Sequence, residues 1–445
     1  MLVILADGTA EFDATLRRLE LRGEADFEAV EPTVRAILAA VRSEGDAAVE
    51  RYNAQFGRPT PRLMSREFPG REALSRLPTS AREALELSAQ RVRAFHQHER
   101  DEGFRYTEGG VTLGVRVSPV SRAGVYAPGG KARYPSSVLM SAIAAGVAGV
   151  RDIILATPLA GDATDDALYA AAHLAGVTAI VDAGGAQAIA ALAYGTQTIP
   201  RVDKIVGPGN RYVACAKRLV FGVVDIDGIA GPSEILVVAD DSADPRVVAA
   251  DLLSQAEHDE AAYPLAVCAS ELMAQAVVRE VEQQIETLPR ASIARAALGH
   301  GAIFVVSGRA RMAHVADRLA AEHLSLHVTD PYELFADIHR AGAAFIGSMT
   351  PEAVGDYVAG PSHVLPTGGT VRFGSPLGVY DFVTRTSIIE YRPEALSRQS
   401  GAVCAFARLE GLEAHARAVE VRLEGRRLSA DPFAIPASSV LAYRK

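Results

Sequence analysis

The sequence predicts an α/β protein made of two lobes, each built on a mainly parallel sheet. From about residue 125 onward, short β-branched runs alternate with helical stretches rich in alanine or in charge. This alternation is typical of βαβ units joined by right-handed crossovers. It occurs in two successive sets, and 445 residues exceed the usual size of a single domain. We therefore expect two packed lobes.

Helices are predicted before the first of these strands. Residues 26–57 repeat apolar side chains at spacings of three and four, as one face of a helix requires. Residues 79–104 form a second helix that is rich in charge. Its His96 and His98 are expected to face solvent.

The strands are short apolar runs, as expected for strands that helices cover on both faces. In the first set they are predicted at residues 152–157, 178–183, 203–207 and 234–240, with helices at 165–175, 186–194 and 211–220. In the second set they are predicted at 265–270, 302–306 and 343–347, with helices at 271–287 and 309–321. Beyond residue 380 the chain becomes charged and irregular, with helical stretches near 393–397 and 411–418.

The composition narrows the class of protein. The formal net charge of −9 and the lack of a basic tract argue against nucleic-acid binding. The longest nearly apolar run, residues 138–150, is too short to cross a bilayer, and the N-terminus lacks the basic start of a secretory signal. The three cysteines, Cys215, Cys268 and Cys404, are far apart and form no CxxC motif, which favours buried thiols in a reducing cytoplasm.

Two successive strand-to-helix turns are rich in glycine, DAGGAQAIAAL at 182–192 and VGPGNRYVACAK at 206–217. A helix N-terminus offers unpaired N–H groups to an anionic phosphate, and glycine lets a ligand approach the backbone. Neither turn matches the GxGxxG fingerprint of standard nucleotide sites, and both are equally well explained as tight βα connections. A third loop, at 124–137, sets Tyr126 beside Pro-Gly-Gly, where its ring can stack on a planar ligand.

Gln255 and His258 end a predicted amphipathic helix at residues 245–258. They lie three positions apart on one face, so they can share one ligand. A glutamine oxygen, an imidazole nitrogen and a carboxylate form a mixed set that suits Zn²⁺, Mn²⁺ or Co²⁺, and a site without thiolates resembles catalytic zinc more than structural zinc. The alternative is a surface glutamine near a histidine that the helix dipole favours.

Glu322 and His323 directly follow another predicted helix. Adjacent residues on a helix do not share a face, so a joint role requires the helix to end there. A histidine beside a glutamate is suited to passing a proton in two steps, although a histidine at a helix end would look the same in sequence. Asp356 and His363 flank a turn-rich loop, GDYVAGPSH, that can present both towards a cleft.

No single motif holds all of these side chains, and the last two candidates, Glu410 and His415, lie on a stretch predicted to be exposed. Taken together, the segments resemble the histidinol dehydrogenase family over about residues 12–420. The order and the spacing of the shared segments both agree. These segments are GVYAPGG, YPSSVLM, GGAQAIAALAYGT, KIVGPGNRYVA, AGPSE, ADLLSQAEH, EHL, AGAAFIG, GDYVAGPSHVLPT and a closing EGL-x-x-H.

The resemblance implies an α/β fold of two incomplete Rossmann-like lobes with small N- and C-terminal domains, in an intertwined homodimer. The implied parts are an N-terminal arm at 1–21, a first lobe with the metal and catalytic residues at 22–125 and 235–378, a second lobe with the NAD contacts at 126–234, and a C-terminal domain and tail at 379–445. The C-terminal segment would cross over to complete the partner's site. The tail after Leu423 has no counterpart in the resemblance.

The resemblance also implies roles for individual residues. Catalysis would fall to Glu322 and His323. One Zn²⁺ per subunit would be held by Gln255, His258, Asp356 and His415. The substrate would be held by Ser233, Gln255, His258, His323, Asp356, His363, Glu410 and His415, and NAD would contact Tyr126, Gln187 and Asn210.

The implied activity is the four-electron oxidation of L-histidinol to L-histidine with two NAD⁺, which are the last steps of histidine biosynthesis, in the cytoplasm. Zinc would anchor the substrate, His323 would take the alcohol proton, and Glu322 would activate water to attack an aldehyde that the enzyme retains. Neither a nucleic acid nor a membrane is expected as a partner.

Three alternatives are compatible with these residues. A related zinc- and NAD-dependent alcohol dehydrogenase would keep the scaffold and oxidise a different small polar alcohol. A zinc hydrolase would use Glu322 to activate water but leaves both glycine-rich turns without a role. An inactive binding relative is disfavoured because none of the expected catalytic residues is missing.

Overall fold

The computed structural model describes residues 2–23, 27–58, 60, 62–129 and 134–424. Gly130 of the loop after Tyr126 and the tail beyond residue 424 lie outside the described residues. The chain divides into two compact units. The first unit comprises Met1–Arg100 and Pro119–Val383, and the second comprises Asp101–Ser118 and Thr384–Lys445.

Strands and helices alternate along most of the described chain. The strands are β1 (Val3–Ala6), β2 (Met64–Ser65), β3 (Phe104–Glu108), β4 (Val111–Pro119), β5 (Arg122–Tyr126), β6 (Asp152–Ala156), β7 (Ala179–Val181), β8 (Lys204–Val206), β9 (Asp225–Ile226), β10 (Glu234–Ala239), β11 (Tyr263–Cys268), β12 (Ala302–Val305), β13 (His323–His327), β14 (Ala343–Ile346) and β15 (Val383–Tyr391). The helices are α1 (Ala10–Glu20), α2 (Glu31–Glu44), α3 (Asp46–Gln55), α4 (Gly70–Arg76), α5 (Thr79–Gln97), α6 (Pro135–Ala148), α7 (Asp166–Ala175), α8 (Gly185–Tyr194), α9 (Arg211–Val220), α10 (Pro245–Ala256), α11 (Glu271–Gln284), α12 (Ala291–Ala297), α13 (Arg309–Leu319), α14 (Pro331–Ala336), α15 (Glu352–Tyr357), α16 (Pro393–Leu409) and α17 (Glu413–Leu423).

The first sheet has six strands in the order β1-β12-β11-β10-β13-β14, and all of its strand pairs are parallel. Successive side chains of a strand point to opposite faces. Accordingly, Ile235 and Val237 of β10 enter the apolar core beneath α10 and α11, whereas Leu236 and Val238 enter the core beneath α1 and α13. The central strand β10 is therefore buried along its whole length.

The second sheet also has six strands, in the order β2-β7-β6-β5-β8-β9. Its edge strand β2 pairs antiparallel with β7, and the other pairs are parallel. Numbered from β5, the four strands β7-β6-β5-β8 follow the 3-2-1-4 order of nucleotide-binding α/β sheets. The two sheets confirm the predicted α/β class with two Rossmann-like lobes.

The ranges expected for the separate domains stay a prediction. Val3–Ala6, which lies within the expected arm, pairs with β12 at the edge of the first sheet. The helices α2 and α3 contribute Val34 and Val49 to an apolar core that they share with α8 and α9 of the second lobe. Both lobes belong to the first compact unit.

The periodic region at 26–57 contains two helices, α2 and α3, that meet at Gly45. Gly45 has a φ of +62°, and a Cβ there would lie 2.1 Å from Oε1 of Gln197. That oxygen accepts a hydrogen bond of 2.7 Å from the backbone N–H of Asp46. A glycine is therefore needed where the first helix ends and the second begins.

The prediction that His96 faces solvent was wrong, whereas His98 is exposed as predicted. His96 lies seven positions after Ala89 and four after Val92, on the face of α5 that packs against the core of the second lobe. Its Nδ1 contacts Oε2 of Glu99 at 2.7 Å. The charge of the helix as a whole concealed this apolar face.

The second unit contains a three-stranded sheet in the order β15-β4-β3 and a hairpin of the helices α16 and α17. The helix predicted near 393–397 extends over Pro393–Leu409. Within the hairpin only a small apolar cluster is buried, made of Cys404, Ala407 and Ala416. The hairpin alone therefore has a very small core.

Cys215, Cys268 and Cys404 are free and buried, which confirms the prediction for the thiols. Burial raises the pKa of the Cys268 thiol to about 12. None of the described helices is long and apolar enough to span a bilayer.

Candidate active site and metal centre

The polar cluster of the first lobe lies where two neighbouring strands begin. Glu234 is the first residue of β10 and His323 is the first residue of β13, and Ile235 pairs with His323 across the two strands. Ligands of open α/β sheets usually bind at the opposite, carboxyl ends of the strands. The helix α10 runs back from the end of β10, so its last turn reaches this same edge with Gln255.

His323 is held as a neutral imidazole with one ring nitrogen free of a proton. Its Nδ1 lies 2.8 Å from the carbonyl oxygen of Glu234, and a carbonyl can only accept, so Nδ1 carries the proton. Burial lowers the pKa of His323 to about 4, which outweighs the opposite effect of the Asp356 charge. The unprotonated Nε2 can therefore act as a base, and it lies 3.7 Å from Oε1 of Glu352.

Glu322 is buried beside His323, and its Oε2 accepts a 2.8 Å hydrogen bond from the backbone N–H of Glu234. Burial, and then the charge of Glu234, raise the pKa of Glu322 well above its usual value. A carboxylate with a raised pKa is a stronger base once it is ionised. The helix α13 ends at Leu319, as a joint role of Glu322 and His323 requires.

The residue after that helix, Ala320, has a φ of +45° and is the only residue other than glycine with a positive φ within the described residues. A left-handed conformation costs an alanine about 1–2 kcal/mol. Such strain is found where the surrounding structure fixes a functional segment. Here it turns the chain immediately before Glu322.

Three side chains of this cluster have the arrangement of a metal site. His323, Glu352 and Asp356 each offer one ligand atom, and these atoms lie within 4.8 Å of one another. Glu352 and Asp356 are four positions apart on one face of α15. Burial, and then the charge of Asp356, raise the pKa of Glu352 to about 8.

Sequence reasoning missed Glu352 and treated Asp356 as part of a turn-rich loop, whereas Asp356 lies on α15. The signal was present in PEAVGDY, since a glutamate and an aspartate four residues apart face the same way on a helix. The helix has only six residues, so its apolar periodicity is too short to be recognised.

Gln255 is buried on α10, and its Oε1 has no hydrogen-bond partner within the described residues. Oε1 of Glu352 is likewise buried without a hydrogen-bond partner among the described residues, although Ser254 Oγ donates to the other oxygen of Glu352 at 3.3 Å. Buried oxygens without donors are costly, and a cation would satisfy them. The donor set of amide oxygen, carboxylate and imidazole therefore fits Zn²⁺ or a similar divalent metal.

His258 lies just beyond the end of α10 and is exposed, and its charge contributes to lowering the pKa of His323. Its carbonyl oxygen accepts a hydrogen bond from Nη2 of Arg290 at 3.3 Å. Ser233 directly precedes Glu234 and is half-buried. Its carbonyl accepts a 3.0 Å hydrogen bond from the N–H of Tyr263.

His363 joins the cluster from a loop. Its Nδ1 contacts the carbonyl oxygen of Asp356 at 3.1 Å, and its Nε2 lies 3.3 Å from Oγ of Ser137 on α6 of the second lobe. Burial lowers the pKa of His363. The loop thereby connects the polar cluster to the second lobe.

Glu410 and His415 belong to the second compact unit. Glu410 follows the last residue of α16, and His415 lies in the first turn of α17. Both are exposed. The structure of one chain therefore does not add them to the cluster formed by His323, Glu352 and Asp356.

The expected NAD contacts lie at the carboxyl edge of the second sheet. The hydroxyl of Tyr126, at the end of β5, accepts a 3.1 Å hydrogen bond from the N–H of Gly185, and burial raises its pKa. Gln187 is buried on α8 with its Oε1 unpartnered among the described residues. Asn210 caps α9, where its Oδ1 accepts from the N–H groups of Tyr212 and Val213 at 3.0 and 3.2 Å.

A cavity of about 480 Å³ adjoins these helix N-termini, and its walls include Gly184, Gln187 and Asn210. Such helix N-termini favour anionic groups. Gly207, with a φ of +113°, shows how tightly the adjacent turn packs, because a Cβ there would lie 2.0 Å from the carbonyl oxygen of Tyr126. The unpartnered oxygen of Gln187 and the nearby helix N-termini fit a dinucleotide.

The two mainly parallel sheets, the buried Glu322–His323 pair and the cavity at the helix N-termini are those of a Rossmann-like α/β oxidoreductase. The family model described as histidinol dehydrogenase matches residues 20–423. The chain belongs to the histidinol dehydrogenase family.

Individual relatives agree with this assignment. The histidinol dehydrogenase of Dechloromonas aromatica is 49% identical over 426 residues, which cover 94% of this chain and 98% of that protein. That of Pseudomonas aeruginosa is 50% identical over 402 residues, covering 89% and 91%. The crystal structure of histidinol dehydrogenase from Elizabethkingia anophelis, 31% identical, superposes with a TM-score of 0.88 over 95% of this chain and 98% of that one.

Proposed function

We propose that the protein catalyses the NAD-dependent four-electron oxidation of L-histidinol to L-histidine. The observation that carries the proposal is the buried Glu322–His323 pair beside the carboxylates of Glu352 and Asp356. Two oxidations at one carbon need a base for each hydride step and a base for the water added between them. The relatives named as histidinol dehydrogenases support L-histidinol as the substrate.

His323 acts in both oxidations. In the first, Nε2 takes the alcohol proton while the C–H bond breaks and its electron pair leaves as hydride, which yields an aldehyde. In the second, Nε2 takes a proton from the aldehyde hydrate while the second hydride leaves, which yields the carboxylic acid. The other proton of His323 stays on Nδ1, which donates it in a hydrogen bond to the carbonyl oxygen of Glu234 throughout.

Glu322 acts between the two oxidations. As a carboxylate it takes a proton from water, whose oxygen then bonds to the aldehyde carbon. The former aldehyde oxygen takes back the proton that Nε2 of His323 gained in the first oxidation, which completes the hydrate and frees Nε2 to act again. Its raised pKa strengthens it as a base, and its buried position keeps bulk water away from the reactive aldehyde. The two roles differ, so the two side chains can be tested separately.

We propose that one Zn²⁺ per subunit is held by Gln255, His258 and Asp356, with His415 of a second copy. The substrate is bound by these four residues together with Ser233, His323, His363 and Glu410. NAD is bound by Tyr126, Gln187 and Asn210. When bound, zinc supplies a positive charge that anchors the substrate, and NAD⁺ supplies the hydride acceptor.

We infer a homodimer from the hairpin of α16 and α17, whose large apolar side chains are uncovered. Phe406 is 66% exposed and Leu409 is 83% exposed. An apolar surface on an element with so small a core is typical of a protein interface. In this proposal the hairpin carries Glu410 and His415 to the site of the second copy.

One assay tests the proposed activity. The protein is loaded with Zn²⁺ and supplied with NAD⁺ and a limiting amount of L-histidinol, and reduced nicotinamide is measured by absorbance. We expect two NADH per L-histidinol and L-histidine as the product. Oxidation of another small polar alcohol in preference to L-histidinol would favour the related alcohol dehydrogenase, and ester or amide cleavage without NADH would favour a hydrolase.

If Asp356 is a zinc ligand, its replacement should change how much zinc stabilises the folded protein. Asp356 and the buried Glu352 bring two acidic groups together, so a metal ion should relieve an unfavourable contact. Zinc at a hundredfold excess over its Kd should stabilise the wild-type protein by about 2.7 kcal/mol. In chelator, Asp356→Asn should be at least as stable as wild type, because it removes one negative charge, but zinc should stabilise it much less.

The measurement is thermal unfolding of both proteins with EDTA and with zinc. The control is Asp337→Asn, an exposed aspartate of the same lobe that pairs with Arg309 at 2.9 Å. Breaking such a surface pair should change stability by less than about 1 kcal/mol and should leave the effect of zinc intact. Equal zinc stabilisation of Asp356→Asn and wild type would refute Asp356 as a ligand.

A further inference from the structure

A buried ion pair lies next to the Glu322–His323 pair and has no role in the chemistry proposed above. Arg22 and Glu234 form two parallel hydrogen bonds, Nε to Oε1 at 2.8 Å and Nη2 to Oε2 at 2.6 Å. Their side chains are 2% and 1% exposed. Removing two charges from water offsets most of their attraction, so such a pair contributes little to stability by itself. Its burial therefore indicates another role.

Glu234 contacts both catalytic residues through its backbone. Its N–H donates to Oε2 of Glu322 and its carbonyl oxygen accepts from Nδ1 of His323, both at 2.8 Å. A shift of the backbone at this one residue would therefore move the hydrogen-bond partners of the two catalytic side chains together.

The carboxylate of Glu234 accepts hydrogen bonds from the backbone of two other segments of the chain. Oε2 accepts from the N–H of Glu322 at 3.3 Å, and Oε1 accepts from the N–H of Gly368 at 2.7 Å. Arg22 in turn donates to the carbonyl oxygens of Leu19 at 2.6 Å and of Ala320 at 3.4 Å. The ion pair thus holds the end of α1, the turn before Glu322 and the start of β10 in one arrangement.

We propose that Glu234, held in place by Arg22, is the positioning residue of the catalytic pair Glu322–His323. The inference rests on the function proposed above and adds two residues that do not touch the substrate. The Glu234 carbonyl keeps the proton of His323 on Nδ1, so that Nε2 is available as the base. The Glu234 N–H fixes one oxygen of Glu322. A misplacement of about 1 Å can lower a rate by about a hundredfold.

The expected kinetic effect separates positioning from binding. Arg22→Ala leaves Glu234 without its partner, so both oxidations should slow by about 10- to 100-fold in kcat. The KM for L-histidinol and the zinc content should stay within about threefold of wild type, because the proposed metal ligands are untouched. Arg22→Lys keeps the charge but lacks the parallel pair of donors, so its kcat should lie between those of Arg22→Ala and wild type.

Rescue by free guanidinium ion gives a second readout. Arg22, Gly23, Pro232 and Gly368 line a cavity of about 630 Å³, through which a small cation can reach the space left by the missing side chain. Guanidinium at low millimolar concentration should restore at least about a tenth of the lost kcat of Arg22→Ala and should not affect wild type. Unchanged kcat in Arg22→Ala, or a loss of kcat accompanied by equal losses in substrate and zinc binding without rescue, would overturn the proposal.

The matched control is the pair of Arg318 and Glu20, which joins α13 to α1 in the same lobe. It has the same parallel geometry, with distances of 2.6 and 2.8 Å, but does not contact the catalytic pair. Arg318→Ala should leave kcat within about twofold of wild type, with or without guanidinium. A loss equal to that of Arg22→Ala would show that any broken ion pair of this lobe has the same effect, and would contradict the inference.

A spectroscopic measurement keeps this inference separate from the proposed reaction. In protein labelled with ¹⁵N-histidine, the ring shifts of His323 should report a neutral ring with the proton on Nδ1, the signal being assigned by its absence in His323→Asn. In Arg22→Ala the population of this Nδ1-protonated tautomer should fall, so that it is no longer the main form. If wild type does not oxidise L-histidinol, the proposed function fails, and the tautomer still tests the positioning. An unchanged tautomer in Arg22→Ala contradicts the positioning alone.

Discussion

Replacing His323 by asparagine should lower the rates of both oxidations by about 10²–10⁴-fold, the usual contribution of a general base. Asparagine keeps an N–H that can donate to the carbonyl of Glu234, but it has no nitrogen able to accept a proton at the position of Nε2. The measurement is the rate of NADH formation from L-histidinol and, separately, from L-histidinaldehyde. Loss of only one of the two oxidations would contradict a shared base.

The zinc content of the same variant decides between two roles of His323. The structure groups His323 with Glu352 and Asp356 as a set able to hold a metal, whereas our proposal assigns the metal to Gln255, His258, Asp356 and a second copy. If His323 is the base, His323→Asn retains zinc and loses rate. A variant that loses zinc in proportion to its rate would instead identify His323 as a ligand.

The control for this variant is His327→Asn, on the same face of β13. His327 is buried and its Nε2 contacts Oδ2 of Asp251 at 2.9 Å and Oγ of Ser325 at 3.0 Å. Loss of these buried contacts should lower the free energy of unfolding by about 1–3 kcal/mol. The rate should change by less than tenfold, because His327 does not contact the reacting groups proposed here. A rate loss as large as that of His323→Asn would show that the strand, rather than the ring of His323, is responsible.

Seven strands of the two lobes were predicted from local sequence because they are apolar runs of the expected lengths, whereas the inner strands β5 and β13 were not predicted. DIILAT and EILVVAD form buried parallel strands, β6 and β10, within one residue of their predicted bounds. The burial of His96 could not be predicted, because the sequence around one histidine on a charged helix does not indicate which face of that helix packs against the core. The boundary at Gly45 depends on Gln197, a residue far away in the sequence.

For the candidate site too, the sequence identified individual residues but not the contacts between them. Sequence reasoning selected Glu322, His323 and Asp356, but each segment alone was equally compatible with an ordinary helix end or loop. The pairing of β10 with β13, whose first residues are 89 positions apart, places Glu234 beside Glu322 and His323, and α15 adds Glu352 and Asp356. The order of strands in a sheet cannot be predicted from the sequence of a single strand. Neither the contacts of Glu234 nor the presence of Glu352 in the site could therefore be derived before the fold was known.

Replacing Glu322 by glutamine should separate the two oxidations. Glutamine keeps an oxygen that can accept from the N–H of Glu234, so His323 should stay in place and the first oxidation should proceed within about tenfold of the wild-type rate. Glutamine cannot take a proton from water, so hydration of the aldehyde and hence the second oxidation should slow by about 10²–10⁴-fold. In a single turnover with enzyme in excess, we expect one rapid NADH per L-histidinol instead of two.

The raised pKa of Glu322 allows a second test of the same role, based on the pH dependence of the two oxidations. The pKa of Glu322 is higher in the folded protein than in the unfolded chain, so the stability that this carboxyl contributes is lost as pH rises through the folded pKa. The ionised carboxylate, which is the form that can take a proton from water, accumulates over the same pH range. In wild type the second NADH should therefore gain rate with pH relative to the first, whereas Glu322→Gln should lose that difference. Glu20→Gln, a partly exposed glutamate of the same lobe, should behave like wild type in both measurements. If Glu322→Gln slows both oxidations equally, or keeps the pH difference, then Glu322 is not the group that activates water, and the hydration must depend on another base such as Glu352.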